Sequence, residues 1–451
     1  MNRIAGMLFD RYGTFAGGID LPDEKRATLG EPIAAARACE RLVLPLAPCG
    51  GSLARPLVSA GQLVSAGQKL AEGTGDNPID IYAPAGGRVV SVQAQALTAG
   101  KGEFVLSPGI ELADLADPTP LLSAPSVTEW AKLSRSNLRA ALAGGGLTTF
   151  RNPLEPLAGW VERAVRKDCD VLIANVMEGQ PYVTAGHRLL AEHGEDVIRG
   201  LAIIGRAIGA RRLMLAVDRR WTDDYRSLIG PAQAYKVARI ALTHKYPTGA
   251  DPLLVKVLTR RQMPVGAATT DVGAAVVNAS ACFAAYRWVA CGQPATHRVV
   301  TVSGERIAKG GNFWTPLGMS CQALAGTDDR LIHGGPMVGL RCPAGAAVGA
   351  TTDAVLAVAE APASSSTPCI RCGWCTDLCP SRLNVAALND DFELSLLDHA
   401  RRSGTVACIE CGICSYVCPA RLPLTRRVQE LKKAIARGPG ATFLDGHGGR
   451  R

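Results

Sequence analysis

The first quarter of the chain alternates short apolar stretches with turns that contain glycine. Residues 56–93 read PLVSAGQLVSAGQKLAEGTGDNPIDIYAPAGGRVVSVQ. Successive side chains of a strand point to opposite faces, so this alternation, interrupted by turn residues, predicts a series of short β-strands. The glycines that mark the predicted turns are Gly61, Gly67, Gly73, Gly75, Gly86 and Gly87.

This N-terminal stretch resembles the barrel-sandwich hybrid fold of biotinyl and lipoyl carriers. Those carriers present a modifiable lysine at the tip of a hairpin. Here the equivalent turn, from Gly73 to Pro78, reads GTGDNP, and Lys69 lies before it within the strand pattern. We therefore predict a structural module without a swinging arm, over residues 17–110.

The period of the apolar residues changes over residues 126–292. The apolar runs DVLIANV and RRLMLAVD predict strands, and the stretch GHRLLAEHGEDVIRGLAIIGRAIG between them predicts a long helix. Such alternation indicates an α/β layer in which helices flank a sheet. A shorter β-rich segment follows over residues 295–345, and the serine-rich APASSSTP after it predicts a linker.

Ligands of α/β layers gather where strands end and helices begin, because free N–H groups and the helix dipole favour phosphate there. The candidate loops are AGGGLTTF, NVMEGQPYVT and AVVNAS. Gly145 and Gly146 would let the backbone approach a flavin or nucleotide phosphate, although a flexible turn has the same signature. Glu178 is either an acceptor for a ribityl or ribose hydroxyl or a solvated loop carboxylate. Asn278 is either a phosphate ligand or a helix cap.

Composition restricts the class of protein. The chain has 451 residues, of which 47% are hydrophobic, so it can bury the cores of several domains. The opening MNRIAGMLFDRYGTF has no apolar core followed by a cleavage site, and we expect a cytoplasmic protein. Arginines interrupt the most apolar windows, so we expect no membrane span. The net charge of +9 is scattered along the chain, which does not favour nucleic acid as a partner.

The cysteines are the strongest chemical signal. Eight of the 15 lie between Cys369 and Cys418, in the runs CIRCGWCTDLCP and CIECGICSYVCP. Both runs follow the two-cluster ferredoxin pattern, in which the fourth cysteine of each run binds the other [4Fe-4S] cluster. The remaining seven are predicted to be small buried residues. They are Cys39, Cys49, Cys169, Cys282, Cys291, Cys321 and Cys342.

The spacing assigns the ligands of the two clusters. Zinc sites also use Cys-x-x-Cys pairs, but they would not require a third cysteine, a fourth and a proline at the same spacing twice. Two amphipathic helices are predicted around the second run, in NVAALNDDFELSLLDHARR and LTRRVQELKKAIAR, and we assign residues 360–436 to this domain. The expected ligands are Cys369, Cys372, Cys375 and Cys418 for one cluster and Cys408, Cys411, Cys414 and Cys379 for the other.

The order of these parts resembles the RnfC family, the C-subunits of the Rnf ion-translocating electron transport complex. The motifs that carry the resemblance are GGIDLP at Gly17, NVMEGQPYVTAGHRLL at Asn175, KYPTGADPLL at Lys245, TTDVGAAVVN ending at Asn278, VVTVSGE, HGGPMVG and both cysteine runs. The resemblance implies a multidomain α/β plus β architecture. Its parts would be an N-terminal barrel-sandwich hybrid, an α/β flavin domain similar to the complex I flavoprotein, a β-grasp SLBB module over 295–345 and a ferredoxin-like two-cluster domain.

The resemblance also implies a function. The chain would sit at the cytoplasmic side of a membrane complex and exchange electrons with NADH through FMN held near Gly145, Gly146, Glu178 and Asn278. It would pass them to two [4Fe-4S] clusters, with integral membrane subunits and an iron–sulfur subunit as partners. The membrane subunits would couple this flow to movement of Na⁺ or H⁺.

The chain departs from the family pattern at three places. The family's flavin loop is Gly-Gly-Ala-Gly-Phe-Pro, whereas this chain has GGGLTTFRNP; the family's Glu-x-Glu-Pro-Tyr reads Glu178 to Tyr182 with Gln180 in second place; and Asp251 replaces a common Glu. Three functions therefore remain open. They are an NADH-linked flavoprotein subunit, an iron–sulfur adapter or docking subunit without flavin, and a flavoprotein similar to microcompartment cobalamin reductase.

Overall fold

The fold is taken from a computed structural model, which describes residues 14–48, 52–99, 103–116, 128–327, 329–359 and 366–438. The predicted lack of a leader therefore concerns residues outside the described part, as do Cys49 and residues 361–365 of the predicted linker. The chain divides into two compact units. The larger comprises 23–242 and 272–359, and the smaller comprises 1–22, 243–271 and 360–451.

The larger unit begins with the predicted short strands. A glycine in each of two successive V-S-A-G-Q turns, Gly61 (φ 85°) and Gly67 (φ 75°), adopts the left-handed conformation that only glycine reaches without strain. Lys69 starts a strand and forms an ion pair with Asp80, with 2.6 Å between Nζ and Oδ2. The strands are β1 (Ile33–Ala35), β2 (Leu42–Pro45), β3 (Arg55–Pro56), β4 (Leu63–Val64), β5 (Lys69–Glu72), β6 (Ile81–Tyr82), β7 (Gly87–Ala99) and β8 (Phe104–Ala113).

Seven of these strands form two small antiparallel sheets, and β1 belongs to a third sheet. The order β2-β8-β7-β4 makes a four-stranded sheet, and β3-β5-β6 makes a three-stranded one. The inner faces bury Leu42, Leu70, Ile110 and Leu112 without exposure to solvent. Burial of alternate residues therefore explains the period that the sequence shows.

The α/β layer follows the predicted alternation. Its strands are mostly apolar in sequence, because a parallel sheet covered by helices is buried on both faces. Its elements, with one helix of the smaller unit included in chain order, are α1 (Arg135–Ala141), α2 (Leu157–Arg166), β9 (Val171–Val176), α3 (Ala185–Ile208), β10 (Arg212–Asp218), α4 (Ile229–Ala234), β11 (Val237–Leu242), α5 (Asp251–Thr259), β12 (Ala274–Asn278) and α6 (Ala279–Cys291). Short 3₁₀ segments cover 130–132, 219–228 and 269–272.

The parallel sheet has the order β11-β10-β9-β12. In chain order β9 is the first strand of this sheet. Strands β10 and β11 follow on one side of it, and β12 lies on the other side. The order therefore reverses between β9 and β12, where Asn175 and Asn278 are register partners. In open parallel sheets such a reversal leaves a crevice at the carboxyl ends of the two strands, which is the usual ligand site.

The larger unit ends in a six-stranded sheet of order β1-β14-β13-β17-β15-β16. Strands β13 and β14 form an antiparallel hairpin, and β17 returns parallel to β13. The last strand lies beyond residue 345, so the sheet extends past the segment that sequence analysis assigned to it. The elements are β13 (His297–Ser303), β14 (Gly311–Pro316), α7 (Cys321–Ala325), β15 (Leu331–His333), β16 (Leu340–Cys342) and β17 (Ala354–Leu356).

Among its described residues, the smaller unit contains both cysteine runs and five helices besides α5, two of which lie within the runs. The stretch predicted as one helix after the first run is two, because Ser395 adopts φ 56° between them. The apolar faces of these helices enclose Leu388, Val428 and Leu431. The helices are α8 (Trp374–Asp377), α9 (Val385–Glu393), α10 (Leu397–Arg402), α11 (Ile413–Tyr416) and α12 (Leu424–Arg437), and a 3₁₀ turn covers 405–407.

Two sequence expectations can be compared with the described residues. Of the seven cysteines outside the runs, Cys169, Cys282, Cys291, Cys321 and Cys342 are buried and Cys39 is half-buried. In the part of the chain that the structure describes, no helix combines the length and the apolar character that crossing a lipid bilayer requires.

The packing of α3 against α6 gives a stability prediction. A Cβ on Gly200 would stand 1.7 Å from the carbonyl oxygen of Cys282, whereas a Cβ on Gly159 in α2 would meet no heavy atom within 4 Å. We expect Gly200→Ala to lower the free energy of unfolding by about 3 kcal/mol through overpacking. Gly159→Ala should raise it by about 0.5–1 kcal/mol, because alanine loses less backbone entropy in a helix. Urea unfolding followed by circular dichroism measures both, and equal midpoints would contradict the prediction.

Candidate metal centre and nucleotide-binding edge

The two cysteine runs adopt the same backbone conformation. Each run has a glycine in the left-handed region, and two flanking positions also adopt positive φ, so the chain turns sharply around a common centre. The corresponding φ values are 58°, 83° and 56° at Arg371, Gly373 and Arg382, and 56°, 84° and 55° at Glu410, Gly412 and Arg421. The repeat in sequence is therefore also a repeat in structure.

Each run surrounds a cavity that is completed by the other run. Each cavity contains about 380 Å³ of space between atoms, the open solvent at its mouth included. The first cavity is lined by Cys369, Cys372, Cys375 and Cys418, and the second by Cys408, Cys411, Cys414 and Cys379. These are the two sets of four that the spacing predicts. Among the described residues, no three His, Cys, Asp or Glu side chains converge on a point that could hold a single ion.

The environment of the second cavity favours the neutral form of its thiols. Burial raises the pKa of Cys408 to about 12 and that of Cys411 to about 11. The backbone N–H of Glu410 donates to the Sγ of Cys408 over 3.3 Å, and the hydroxyl of Thr425 lies 3.3 Å from the Sγ of Cys414. Because only thiolates bind iron, these thiols would have to lose their protons if the cavity held an iron–sulfur cluster.

Two segments that carry the family resemblance contact residues that line the second cavity. The hydroxyl of Tyr246, in KYPTGADPLL, donates to the carbonyl of Cys411 over 2.6 Å. A Cβ on Gly17, in GGIDLP, would stand 2.8 Å from the backbone of Cys379. Sequence reasoning assigned neither Tyr246 nor Gly17 to the metal centre, because nothing local links them to the cysteines.

At the reversal of the parallel sheet, Asn278 makes the helix-capping contact. Its Oδ1 accepts from the backbone N–H of Ala281 over 2.9 Å, and its Nδ2 donates to the carbonyl of Phe150 over 2.9 Å. The structure thus brings Asn278 to the end of the loop AGGGLTTF. The predicted role as a phosphate ligand stays a prediction.

Glu178 lies at the N-terminus of α3. Its two carboxylate oxygens accept from the backbone N–H groups of Gly186 and His187, over 2.6 and 3.1 Å. Burial raises the pKa of Glu178, and the nearby Lys25 and the two N–H donors oppose that shift. The carboxylate is therefore bound internally, so the alternative of a solvated loop carboxylate is wrong.

The glycine loop packs against aromatic side chains of its own chain. A Cβ on Gly145 would stand 2.3 Å from the ring of Trp288, and one on Gly146 would stand 2.9 Å from the carbonyl oxygen of Asp80. Both glycines have positive φ, 69° and 65°. Gly146, Thr148 and Phe150 also line a largely apolar pocket. A pocket therefore lies beside Gly146, at one end of the glycine loop.

Lys25 is a buried residue of this edge that sequence reasoning missed. Its ammonium donates to the carbonyl of Gln180 over 2.7 Å and to that of Val183, and it lies 5.6 Å from the centre of the Trp221 ring. Burial lowers the pKa of Lys25 to about 8, while Glu178 acts in the opposite direction. A lysine so far along the chain from the loop carries no local signal of this role.

Three family models match the chain in the order of these parts. Residues 13–109 match the RnfC barrel sandwich hybrid domain. Residues 156–287 match the Nuo51 FMN-binding domain, and residues 368–423 match a 4Fe-4S dicluster domain. The mixed α/β architecture and its barrel-sandwich, flavin and dicluster parts are thus confirmed.

Curated relatives match across most of the chain. The C-subunit of the ion-translocating oxidoreductase complex of Rhodobacter capsulatus is 30% identical, over 80% of this chain and 71% of its own. The protein of the same name from Erwinia tasmaniensis is 30% identical over 83% of this chain, which spans only 47% of that relative. The C-subunit of the proton-translocating ferredoxin:NAD(+) oxidoreductase complex of Clostridium ljungdahlii is 27% identical, over 83% and 84%.

The buried lysine gives a pH prediction. Below pH 8 Lys25 is protonated in the folded and unfolded chain, whereas between pH 8 and 10.5 the folded chain has released the proton and the unfolded chain has not. The stability of the native protein should therefore rise relative to Lys25→Met over this range, by at most about 1.4 kcal/mol per pH unit. Urea unfolding at pH 7 to 10 measures the difference.

The control for this experiment is Lys256→Met, on the exposed face of α5. Its stability should stay parallel to that of the native protein at every pH. If the free energy of unfolding of Lys25→Met also changed with pH in parallel with that of the native protein, the prediction would be contradicted.

Proposed function

Because the chain belongs to the RnfC family, the C-subunits of ion-translocating oxidoreductase complexes, we propose that it is a peripheral electron-transfer subunit. It passes electrons between NAD(H) and two [4Fe-4S] clusters by way of FMN. The observation that carries this proposal is the pair of cavities, each lined by four cysteines drawn from both runs. Two clusters in one small unit form a path for single electrons.

The chain has an FMN-binding domain and a 4Fe-4S dicluster domain. Bound FMN would exchange two electrons with a nicotinamide and pass them on singly. We propose that Gly145, Gly146, Glu178 and Asn278 form the protein side of the flavin site. Support comes from the contact of Asn278 with the end of the glycine loop and from the cavity beside Gly146.

The eight run cysteines are the proposed cluster ligands. Cys369, Cys372, Cys375 and Cys418 hold the first cluster, and Cys408, Cys411, Cys414 and Cys379 hold the second. The cavity between each set supports a polynuclear cluster over a single zinc ion, because four thiolates around one ion would converge on a point. The N–H bond to the Sγ of Cys408 also suits a cluster, since such bonds tune its potential.

We propose four domains with the boundaries taken from the sequence: 17–110, 126–292, 295–345 and 360–436. The third is proposed to be a β-grasp SLBB module. Its support is a hairpin first, then a helix, in the strand order β14-β13-β17-β15-β16. The last strand, β17, is parallel to the first and lies beyond residue 345.

The proposed partners are integral membrane subunits and an iron–sulfur subunit of the same complex. We propose that the chain lies at the cytoplasmic side of the cell membrane, as the resemblance to the family implies. The membrane subunits, and not this chain, would carry the ion that electron flow moves.

A second candidate function is an iron–sulfur adapter or docking subunit without flavin. One observation favours it: the N–H groups at the start of α3, where a phosphate would bind, already donate to Glu178. A role similar to microcompartment cobalamin reductase has no such observation in its favour.

Alanine substitution tests the proposed ligand sets. Cys379→Ala should remove the same reduced-cluster signal as Cys411→Ala, although the two residues lie in different runs. Cys418→Ala should likewise match Cys372→Ala. Electron paramagnetic resonance of the dithionite-reduced protein identifies the lost signal, and iron should fall from about eight to about four atoms per chain. The control is Cys169→Ala, a buried cysteine outside the runs, and this variant should retain all the iron. Loss of the first cluster in Cys379→Ala would contradict the assignment of Cys379 to the second cluster.

Flavin content and NADH oxidation distinguish the two candidate functions. The anaerobically purified chain, incubated with FMN and desalted, should retain about one flavin per chain and reduce ferricyanide with NADH. A Cys372→Ala and Cys411→Ala double variant should keep this flavin reaction and lose cluster reduction. No retained flavin and no turnover, with iron present, would instead establish the adapter.

A further inference from the structure

The repeat of the cysteine runs continues into the helices that follow them. After Cys379 and its proline the chain reads SRLNVA, and after Cys418 and its proline it reads ARLPLT. Helices α9 and α12 begin at the fifth residue of these segments. The sixth residues, Ala386 and Thr425, therefore occupy equivalent positions, and each lines the cavity of its own run. The same position thus carries a methyl group at the first cavity and a hydroxyl at the second.

The hydroxyl of Thr425 is directed at a sulfur of the second cavity. Its Oγ1 lies 3.3 Å from the Sγ of Cys414 and accepts from the hydroxyl of Ser415 over 2.9 Å. The Ser415 oxygen in turn accepts from the backbone N–H of Thr425 over 2.8 Å. Because Ser415 supplies the proton between the two hydroxyls, the Thr425 proton is free to point at the sulfur. A thiolate ligand can only accept, so Thr425 is the donor in this contact.

The first cavity repeats the framework of these contacts without the hydroxyl. Ala386 donates its backbone N–H to the hydroxyl oxygen of Thr376 over 3.5 Å, as Thr425 does to Ser415. The hydroxyl of Thr376 donates to the Oδ1 of Asn384 over 3.4 Å, and its oxygen lies 4.0 Å from the nearest cysteine sulfur. The short contact from a hydroxyl to a sulfur therefore belongs to the second cavity.

Charged side chains do not produce the same difference between the cavities. Lys432 donates to the carbonyl of Cys408 over 2.9 Å beside the second cavity, and its charge is paired with that of Glu410. Beside the first cavity, Arg371 is paired with Asp390 over 2.7 Å. Each cavity thus has an adjacent pair of opposite charges, whose fields largely cancel at a distance. The hydroxyl contact is the clearer difference between the two environments.

We propose that the Thr425 hydroxyl raises the reduction potential of the second cluster by donating to the Sγ of Cys414. This rests on the proposed function, since the cavity must hold a cluster. Reduction adds negative charge that spreads onto the cysteine sulfurs, and a hydrogen-bond donor stabilises that charge. When one electron passes from the first cluster to the second, the first is oxidised and the second is reduced, and no bond or proton changes. The hydroxyl favours this direction.

Substitutions at the two equivalent positions test this role. Thr425→Val removes the hydroxyl and keeps the branched shape, whereas Thr425→Ser keeps the hydroxyl and is the matched control. Ala386→Thr places a hydroxyl at the equivalent position of the first cavity. Redox titration of the full chain under anaerobic conditions, followed by electron paramagnetic resonance, gives the midpoint potential of each cluster. The signal that is missing from Cys411→Ala identifies the second cluster.

We expect Thr425→Val to lower the midpoint potential of the second cluster and to leave that of the first unchanged. The equilibrium constant for reduction should fall about tenfold, which is about 59 mV for a one-electron couple. Ala386→Thr should raise the midpoint potential of the first cluster, and Thr425→Ser should stay within about twofold of the native protein. Solvent exposure also affects such potentials, and Cys372 is exposed whereas Cys411 is half-buried. Each cluster is therefore compared with itself in the native and variant proteins.

Iron content separates the possible failures. A native protein without iron would end the proposed function and this role together. Full iron, with the same second-cluster midpoint in the native and Thr425→Val proteins, would overturn the role of the hydroxyl and leave the proposed function intact. An equal fall in Thr425→Val and Thr425→Ser would assign the shift to packing and would also overturn it. If Thr425→Val lost its second cluster, the first-cluster midpoint in Ala386→Thr would decide: a raised value supports the role, and an unchanged one contradicts it.

Discussion

Closure of each cysteine cavity by a residue of the opposite run is the constraint on which the smaller unit depends. Cys418 completes the cavity of the first run, and Cys379 completes that of the second. Neither loop can therefore form its cavity alone, and the helices between and after them must bring the runs together. Leu388 of α9 and Leu431 of α12 are fully buried in the core that does this. Burial of apolar side chains thus fixes the distance across which the thiols face each other.

Much of this unit could be predicted, because the relevant signal is local. The cysteine spacing and the glycines between them define each loop, and the described cavities contain the two predicted sets. The helix that is split at Ser395 could not be predicted, since the apolar period runs through that residue without a break. The position of Tyr246 could not be predicted from the sequence either. It depends on a hydrogen bond to Cys411 across 165 residues of sequence, which no periodicity reveals.

At the sheet edge, the sequence identified the right loops but not the partners of their side chains. Strand ends and helix starts follow from apolar periodicity, so Glu178 and Asn278 could be placed at the carboxyl end of the sheet. Their contacts depend on how the chain satisfies its own polar groups. Glu178 accepts from two N–H groups of α3, because a buried carboxylate needs donors. The positive charge of Lys25, which is distant in sequence, also stabilises the ionised carboxylate. Polar pairing of this kind is decided by tertiary packing.

The amide at position 180 illustrates how a departure from the family pattern acts. Its Oε1 accepts from the backbone N–H of Met337 over 3.1 Å, a bond that a glutamate could also accept. A Cβ on Gly335 would stand 2.5 Å from the Gln180 side chain, so the two loops are in close contact. Replacing the acid therefore keeps the contact and removes one negative charge near Lys25 and Glu178. A bound nucleotide phosphate is repelled less by an amide than by a carboxylate. Since the family pattern has the acid at this position, this difference in charge does not separate the flavin-bearing function from the adapter; the contacts of Gln180 show that the packing of the two loops does not require the acid.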